Sequence, residues 1–378
     1  MTMDERPSKV GTEHEFSIND RSFRPLPIND RIIERLQGSI HNEVPFSGIC
    51  ISKELQKHAF ELKPLGPHTN LRSMERKLHI GLLHLYEALD GDYRFLGLGM
   101  HPTLSLDMTT YWDHEEKEVF EAYDRLFDIR QHGWLNIQAL QVNLPYQGPD
   151  DLVCKYNRIR ALIPYLVALT AASPFVEGSV TGHMDNRIRF YRENQRRLPS
   201  ICNAIIPERL SNMDEYFVKQ EGIYQELRGL DADVLCNEWV NSTGVIIRAS
   251  RRCLEIKALD EQECLHSDMA VTALIRALLR VKDLSLEEDR DALLSLLSVA
   301  SEKGVGPLGP ELGRLLDRAV PVFPKEDQVF IPFLRRRVEG GSLAEIICAN
   351  HGRDKEILPL LSRLEECLLQ NTSYYGPE

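Results

Sequence analysis

Gly11-Thr12-Glu13-His14-Glu15-Phe16 is the stretch from which the fold is read. A strand sends successive side chains to opposite faces, so Glu13 and Glu15 project together and His14 faces away from them. Three later stretches repeat the pattern. Glu61 and Lys63 share a face in Phe60-Glu61-Leu62-Lys63, while Phe60 and Leu62 point at a core. Gln141 and Asn143 share one in Leu140-Gln141-Val142-Asn143-Leu144, as do Glu255 and Lys257 in Leu254-Glu255-Ile256-Lys257. Each polar doublet has an apolar backing, the pattern of antiparallel strands with one wet face. Ordinary wet faces mix Lys, Thr and Ser, whereas these doublets are mostly Glu, Gln and Asn. Carboxylates converging on one hollow repel unless some hold protons or cations lie between them.

Oxygen ligands without cysteine suit Mg²⁺ or Mn²⁺ better than zinc or copper. Magnesium usually bridges carboxylates to the phosphates of a nucleotide, which points to ATP. No G-x-x-x-x-G-K-[ST] occurs, and no G-x-G-x-x-G follows a strand. A nucleotide here is therefore held through metals on a sheet and not by a phosphate-cradling loop.

Working outward, strand character is expected over Val10–Ile18, His58–Lys63, Phe95–Met100, Trp134–Leu144 and Val245–Asp260. Helical spacing covers Thr69–Leu89, Asp113–Phe127 and a long apolar stretch from Pro149 to about Ala172. Beyond Asp268 strands nearly vanish, and Met269–Lys282, Leu286–Ser301, Glu311–Ala319 and Lys355–Gln370 are helical in period, with breaks at Gly304–Pro310 and Gly340-Gly341. The expected class is α+β. A catalytic sheet core with inserted helices fills residues 1–268, and a helical C-terminal region, 269–378, packs on the same domain.

The 378 residues carry 45 basic and 57 acidic side chains, a net charge of −12, which excludes a general nucleic-acid binder. No apolar run reaches the ~18 residues of a membrane span, and Met1–Val10 is polar, unlike a signal peptide. The eight cysteines form no C-x-x-C pair, the usage expected of reduced thiols in a cytoplasmic protein. The expected partners are small-molecule substrates, with no nucleic acid and no membrane; a homo-oligomer is left open.

In this order along the chain, Gly11-Thr12-Glu13-His14-Glu15 resembles the G-x-E-x-E signature of the glutamate–cysteine ligase superfamily, which includes the carboxylate–amine ligases. Gln141-Val142-Asn143-Leu144 resembles the Q-V-N-L strand of the plant-type ligases. Ser173-Pro174-Phe175-Val176-Glu177-Gly178 resembles their S-P-F-x-E-G turn, and Leu254-Glu255-Ile256-Lys257 with Asp260 resembles their L-E-x-R-x-x-D strand. The resemblance implies a curved, saddle-like antiparallel sheet of the glutamine synthetase-like type, with ATP and Mg²⁺ on its concave face and helices on its convex side. It implies that ATP phosphorylates a carboxylate to an acyl phosphate, which an amine then attacks; glutamate and cysteine are the first-choice pair of amino-acid substrates.

Matched position by position, Glu13, Glu15, Glu61 and Glu255 correspond to metal-binding glutamates. Gln141 falls where other branches place a metal-binding histidine, and Asn143 is the next residue on its face. Glu54 matches an acidic position near the metals and the incoming amine, which it would bind as an ammonium or deprotonate. Arg187 matches an arginine near ATP or the acidic substrate, and Arg252 a basic residue facing phosphate. Lys257 replaces the usual arginine of E-x-R, exchanging a bidentate fork for a point charge. His101, in Gly99-Met100-His101-Pro102, is either a substrate contact or a turn histidine, and Ser173 is expected to end a helix. The arginines at 189, 192, 196 and 197 either meet substrate or only solvent. The alternatives to the first choice are a ligase with a different amine and an inactive nucleotide-binding regulator.

Overall fold

The computed structural model describes residues 8–351 and 356–377. Ten strands occur among them: β1 (Gly11–Asn19), β2 (Glu43–Phe46), β3 (Ile49–Lys53), β4 (Ala59–Pro64), β5 (Arg94–Leu96), β6 (Ala139–Pro145), β7 (Phe175–Val176), β8 (Ser179–Val180), β9 (Val245–Arg248) and β10 (Cys253–Asp260). Eight of them form one sheet in the order β2-β3-β4-β1-β6-β10-β9, with β5 also beside β1; β7 and β8 make a separate hairpin. Every pairing is antiparallel.

The alternation read from the sequence holds. Phe16, Phe60, Leu62, Leu140, Val142, Leu254 and Ile256 are buried together in one core. Three helices line that core: Leu71–Ala88, Pro149–Thr170 and Leu265–Leu278. Leu71–Ala88 starts where Asn70 caps it, its side chain accepting from the Ser73 N–H at 2.7 Å. Its Leu71, Met74, Leu78, Leu82 and Leu85 form the buried stripe. Pro149 begins the long helix at a position needing no N–H bond, and Asp150 and Asp151 complement the dipole there.

Three expected strands differ from those observed. Phe95–Met100 stops at Leu96, because the following chain is pressed against the end of β10. A Cβ on Gly97 would stand 2.1 Å from the Gln262 carbonyl oxygen, and one on Gly99 2.1 Å from the Asp260 carboxyl carbon. Only glycine fits such an approach. Trp134 lies in a helical turn, His132–Leu135, so the strand expected over Trp134–Leu144 starts at Ala139. Val245–Asp260 is two strands, since the chain reverses through Ala249–Arg251 and Arg252, whose φ is 52°. The β2–β3 hairpin was not expected at all.

Among the described residues no strand follows Asp260. Helices Arg290–Lys303, Gly309–Ala319, Leu343–Asn350 and Leu358–Gln370 occupy the tail; Lys355, the expected start of the last, lies outside the described residues. The last two bury Leu343, Ile347, Leu361 and Leu364 against Leu96, Leu98 and Phe175. Among the described residues no helix is long and apolar enough to cross a membrane.

Candidate active site

Register places the acidic residues. Ser52, Glu61 and Glu15 are cross-strand partners through β3, β4 and β1; Glu13 opposes Gln141, and Asn143 opposes Glu255. Directly opposed residues share a face, so these strands set one polar patch on the side away from the core. The patch is knit by side-chain bonds. Gln141 Nε2 donates to Glu15 Oε1 at 2.9 Å and Asn143 Nδ2 to Glu13 Oε1 at 3.2 Å. Ser52 Oγ donates to Glu61 Oε1 at 2.7 Å, and the Cys253 thiol to Asn143 Oδ1 at 3.4 Å. Glu13 and Glu61 are hydrogen-bonded to each other, and the charge of Glu255 acts on Glu13. Glu54, just after β3, is close enough to feel Glu15, Glu61 and Glu13.

Crowding shows in the acidities. Burial pushes Glu13 up to about 8, and the charges of Glu61 and Glu255 add to it. Burial pushes Glu15 up to about 7 against the pull of Gln141 and the Ala139 N–H. Glu54 is driven well up by burial and by Glu15 and Glu61. Burial acts on Glu61 in the same sense, but Lys63, 2.9 Å from its Oε1, and Ser52 outweigh it and hold the carboxyl below its ordinary value. The donors are carboxylate and amide oxygens whose charge the protein meets only in part. That is the chemistry a hard divalent cation satisfies, so these residues fit the metal the sequence implies.

Cations rim the patch. Arg248 Nη1 bonds Glu255 Oε2, Arg251 Nη1 lies 3.1 Å from Glu13 Oε1, and Lys257 Nζ lies 3.9 Å from Glu255 Oε1. Arg248 and Arg251 were missed by sequence reasoning, because a continuous strand over Val245–Asp260 hides the hairpin that brings them in. Arg252, the basic residue expected there, is exposed at the turn with a left-handed backbone, and its neighbour Arg251 makes the contact. Arg187 is fully buried, its Nε 2.6 Å from Asp260 Oδ1 and its Nη1 3.2 Å from the Lys257 carbonyl oxygen. Its Nη2 has no hydrogen-bond partner among the described residues, and its charge reaches Glu15.

Two other candidates are structural. His101 is buried, donating from Nε2 to Asn19 Oδ1 at 2.7 Å, and burial pushes its pKa down to about 3. Ser173 Oγ donates to Asp260 Oδ2 at 2.7 Å. Arg189, Arg192, Arg196 and Arg197 are exposed. His14 is buried on the core face, between Thr12 and Asp268.

The family model for glutamate–cysteine ligase family 2 (GCS2) matches residues 9–304. A protein of Archaeoglobus fulgidus described only as uncharacterized is 46% identical over 97% of this chain and 100% of its own length. The chloroplastic glutamate–cysteine ligase of Solanum lycopersicum is 23% identical over 59% of this chain and 47% of its own, so the chain spans about half the length of that curated relative. The crystal structure of glutamate–cysteine ligase from Francisella tularensis in complex with AMP superposes with a TM-score of 0.65 at 14% identity, covering 98% of this chain and 90% of that one, which shows a shared fold. With the match running from the first strand of the carboxylate patch past the last, the chain belongs to glutamate–cysteine ligase family 2 and is an ATP-dependent ligase.

Proposed function

We propose that the chain joins a carboxylate to an amine at the expense of ATP and Mg²⁺, with the glutamate side-chain carboxylate and cysteine as the first-choice pair. The observation that carries this reading is the meeting of Glu13, Glu15, Glu61 and Glu255, from three strands, on one face. The sheet is then of the glutamine synthetase-like type, with the nucleotide on the carboxylate face.

Condensing two ionised groups in water is uphill, so the carboxylate is activated as an acyl phosphate and the amine displaces phosphate. Glu13, Glu15, Glu61, Glu255 and Gln141 would hold the metal, which supplies charge neutralisation to the transferring phosphoryl group. The protein's share is position and positive charge. Arg248, Arg251 and Lys257 line the edge where phosphate or substrate carboxylate charge would be met. Glu54 is assigned the incoming amine: in its ionised form it would bind the ammonium or take its proton, and the pKa raised by burial and by Glu15 and Glu61 makes that carboxylate the stronger base.

The test is phosphate release from ATP and Mg²⁺ across a panel of carboxylates and amines. Glutamate with cysteine as the best pair supports the first choice. Another productive pair keeps the ligase and changes the amine, and tight ATP binding with no turnover for any pair overturns the reading in favour of a regulator.

Stability should also follow the acidities. In the metal-free fold Glu13 and Glu15 hold protons up to about 8 and about 7, whereas an unfolded glutamate loses its proton near 4.5. The folded state therefore binds more protons across that window, and metal-free stability falls as pH rises through it. In EDTA the melting temperature should be lower at pH 8.5 than at pH 6, and added Mg²⁺ should raise it more at pH 8.5. A rise with pH in EDTA would contradict the crowded-carboxylate account.

A further inference from the structure

The β1–β6 ladder runs from Gly11 opposite Asn143 to His14 opposite Leu140 and goes no further. The next position of β1 is Glu15. There the ladder bonds are replaced by side chains. The Glu15 N–H donates to Glu261 Oε2 at 3.2 Å, and the Glu15 carbonyl accepts from Gln138 Nε2 at 3.2 Å. On the strand opposite, the Ala139 N–H is taken by the Glu15 carboxylate itself, at 2.8 Å. The carboxylate thus occupies a place in the sheet that a carbonyl would ordinarily fill, and the main chain it leaves unpaired is bonded by two other residues.

Both of those residues are fully buried and separately anchored. Gln138 Nε2 also donates to the Leu96 carbonyl oxygen at 3.1 Å, tying β5 to the same point. The Glu261 N–H donates to the Gln138 carbonyl oxygen at 3.3 Å, so the two are linked. Glu261 Oε1 lies 3.5 Å from His14 Nδ1, which is 3.1 Å from Asp268 Oδ2, while His14 Nε2 meets Thr12 Oγ1 at 2.9 Å. The resulting group joins the residues after β10 and the start of helix Leu265–Leu278 to the back of β1, directly behind the carboxylate patch. With its N–H and C=O both turned to this side, Glu15 meets Glu61 as a non-hydrogen-bonded pair, the more closely spaced kind in an antiparallel ladder.

We infer that Glu261 and Gln138 are positioning residues for Glu15, bridging a gap in the sheet at the residue whose carboxylate faces the metal hollow. The inference rests on the proposed metal role of Glu15. Its physical basis is that Mg²⁺ and Mn²⁺ tolerate little displacement of a carboxylate ligand, and that groups orienting a ligand are felt in metal affinity. Without Glu261 or Gln138, a main-chain N–H or C=O of Glu15 is buried and unpaired, and β1 relaxes at that residue.

The experiment titrates MnCl₂ into the full chain, following free Mn²⁺ by electron paramagnetic resonance. Wild type should bind. Glu261→Ala and Gln138→Ala should each weaken binding by about tenfold or more, the scale seen for groups that orient metal ligands. Glu261→Gln, whose amide oxygen still accepts the Glu15 N–H, should stay within about threefold of wild type. Circular dichroism establishes that each variant is folded, and Gln138→Ala decides the matter if Glu261→Ala does not fold. A purely structural role would lower the melting temperature and leave the Mn²⁺ affinity of the folded chain unmoved. Wild-type binding with both alanine variants unchanged overturns the inference and leaves the metal hollow standing. No binding by wild type removes the hollow, and this inference with it.

Discussion

Glu13→Gln and Glu255→Gln should each abolish turnover in a protein that remains folded. Glu13 accepts from Asn143 and Arg251, and Glu255 from Arg248, with Lys257 alongside. Glutamine keeps the length and an accepting oxygen, so the bonds on the protein side survive in large part. What disappears is one negative charge facing the hollow. A metal-bound phosphoryl transfer draws several kcal/mol from such charge, so the loss in kcat/KM should reach about 10³-fold. The fold responds oppositely. Glu13 lies hydrogen-bonded to Glu61 and pushed up to about 8 by burial and its acidic neighbours, so removing its charge relieves repulsion. Glu13→Gln in EDTA at pH 8.5 should therefore melt no lower than wild type. Phosphate release and thermal melting on the same preparations check both halves. Near-wild-type turnover in both variants would mean that the four glutamates do not hold a metal.

This prediction was open to sequence reasoning because a strand's period of two is rigid. Once Glu13 and Glu15 share a face with apolar residues between, their side of the sheet is decided, and the same holds for Glu61, Gln141, Asn143 and Glu255. Register was not legible. Nothing local says that Glu15 stands opposite Glu61, or Asn143 opposite Glu255; that follows from how hairpins and crossovers assemble. Glu54 lies outside any alternating doublet and was reached by resemblance alone.

Two local features of the sequence mark the remaining hairpins. Ser47-Gly48 separates two short apolar runs, and in the structure both residues have positive φ, 46° and 83°, as a tight two-residue hairpin requires. The sixteen-residue strand expected over Val245–Asp260 exceeds the ~3–10 residues usual for strands, and Ala249-Ser250-Arg251-Arg252 is its polar interruption. Dividing it there would have brought Arg248 opposite Cys253, two positions from Glu255. The supports behind β1 had no such signal. His14 meets Asp268 across 254 residues, and Glu15 meets Glu261 across 246. Only the closed sheet joins them.

Loss of the Arg187 side chain should cost the fold several kcal/mol. The sequence offers it as a contact for ATP or for the acidic substrate; the structure shows a fully buried guanidinium paired with a fully buried Asp260. Asp260 is itself committed, since its Oδ2 accepts from the Ala172 N–H at 2.9 Å and from Ser173 Oγ at 2.7 Å, and Gly99 packs against its carboxyl. Removing the arginine leaves that carboxylate in the interior beside Asp185, a second buried acid whose pKa is raised by burial and by Asp260. Breaking a buried pair from one side costs about 3–5 kcal/mol, mostly because a charge is stranded. Arg187→Met should lose about that much in urea unfolding. If the stranded charge is the cause, neutralising the partner must recover part of the loss. Asn at 260 can still accept from Ala172 and Ser173, so Arg187→Met/Asp260→Asn should be more stable than Arg187→Met alone. A mere packing defect at residue 187 would make the double variant worse. Arg187→Lys separates the other role. It keeps the charge beside Asp260 but loses the fork whose Nη2 has no hydrogen-bond partner among the described residues. Recovered stability with turnover still lost would assign that nitrogen to the reacting groups, whereas full recovery of both would make Arg187 a structural cation only. Wild-type unfolding of Arg187→Met would refute the pair as a support of the fold.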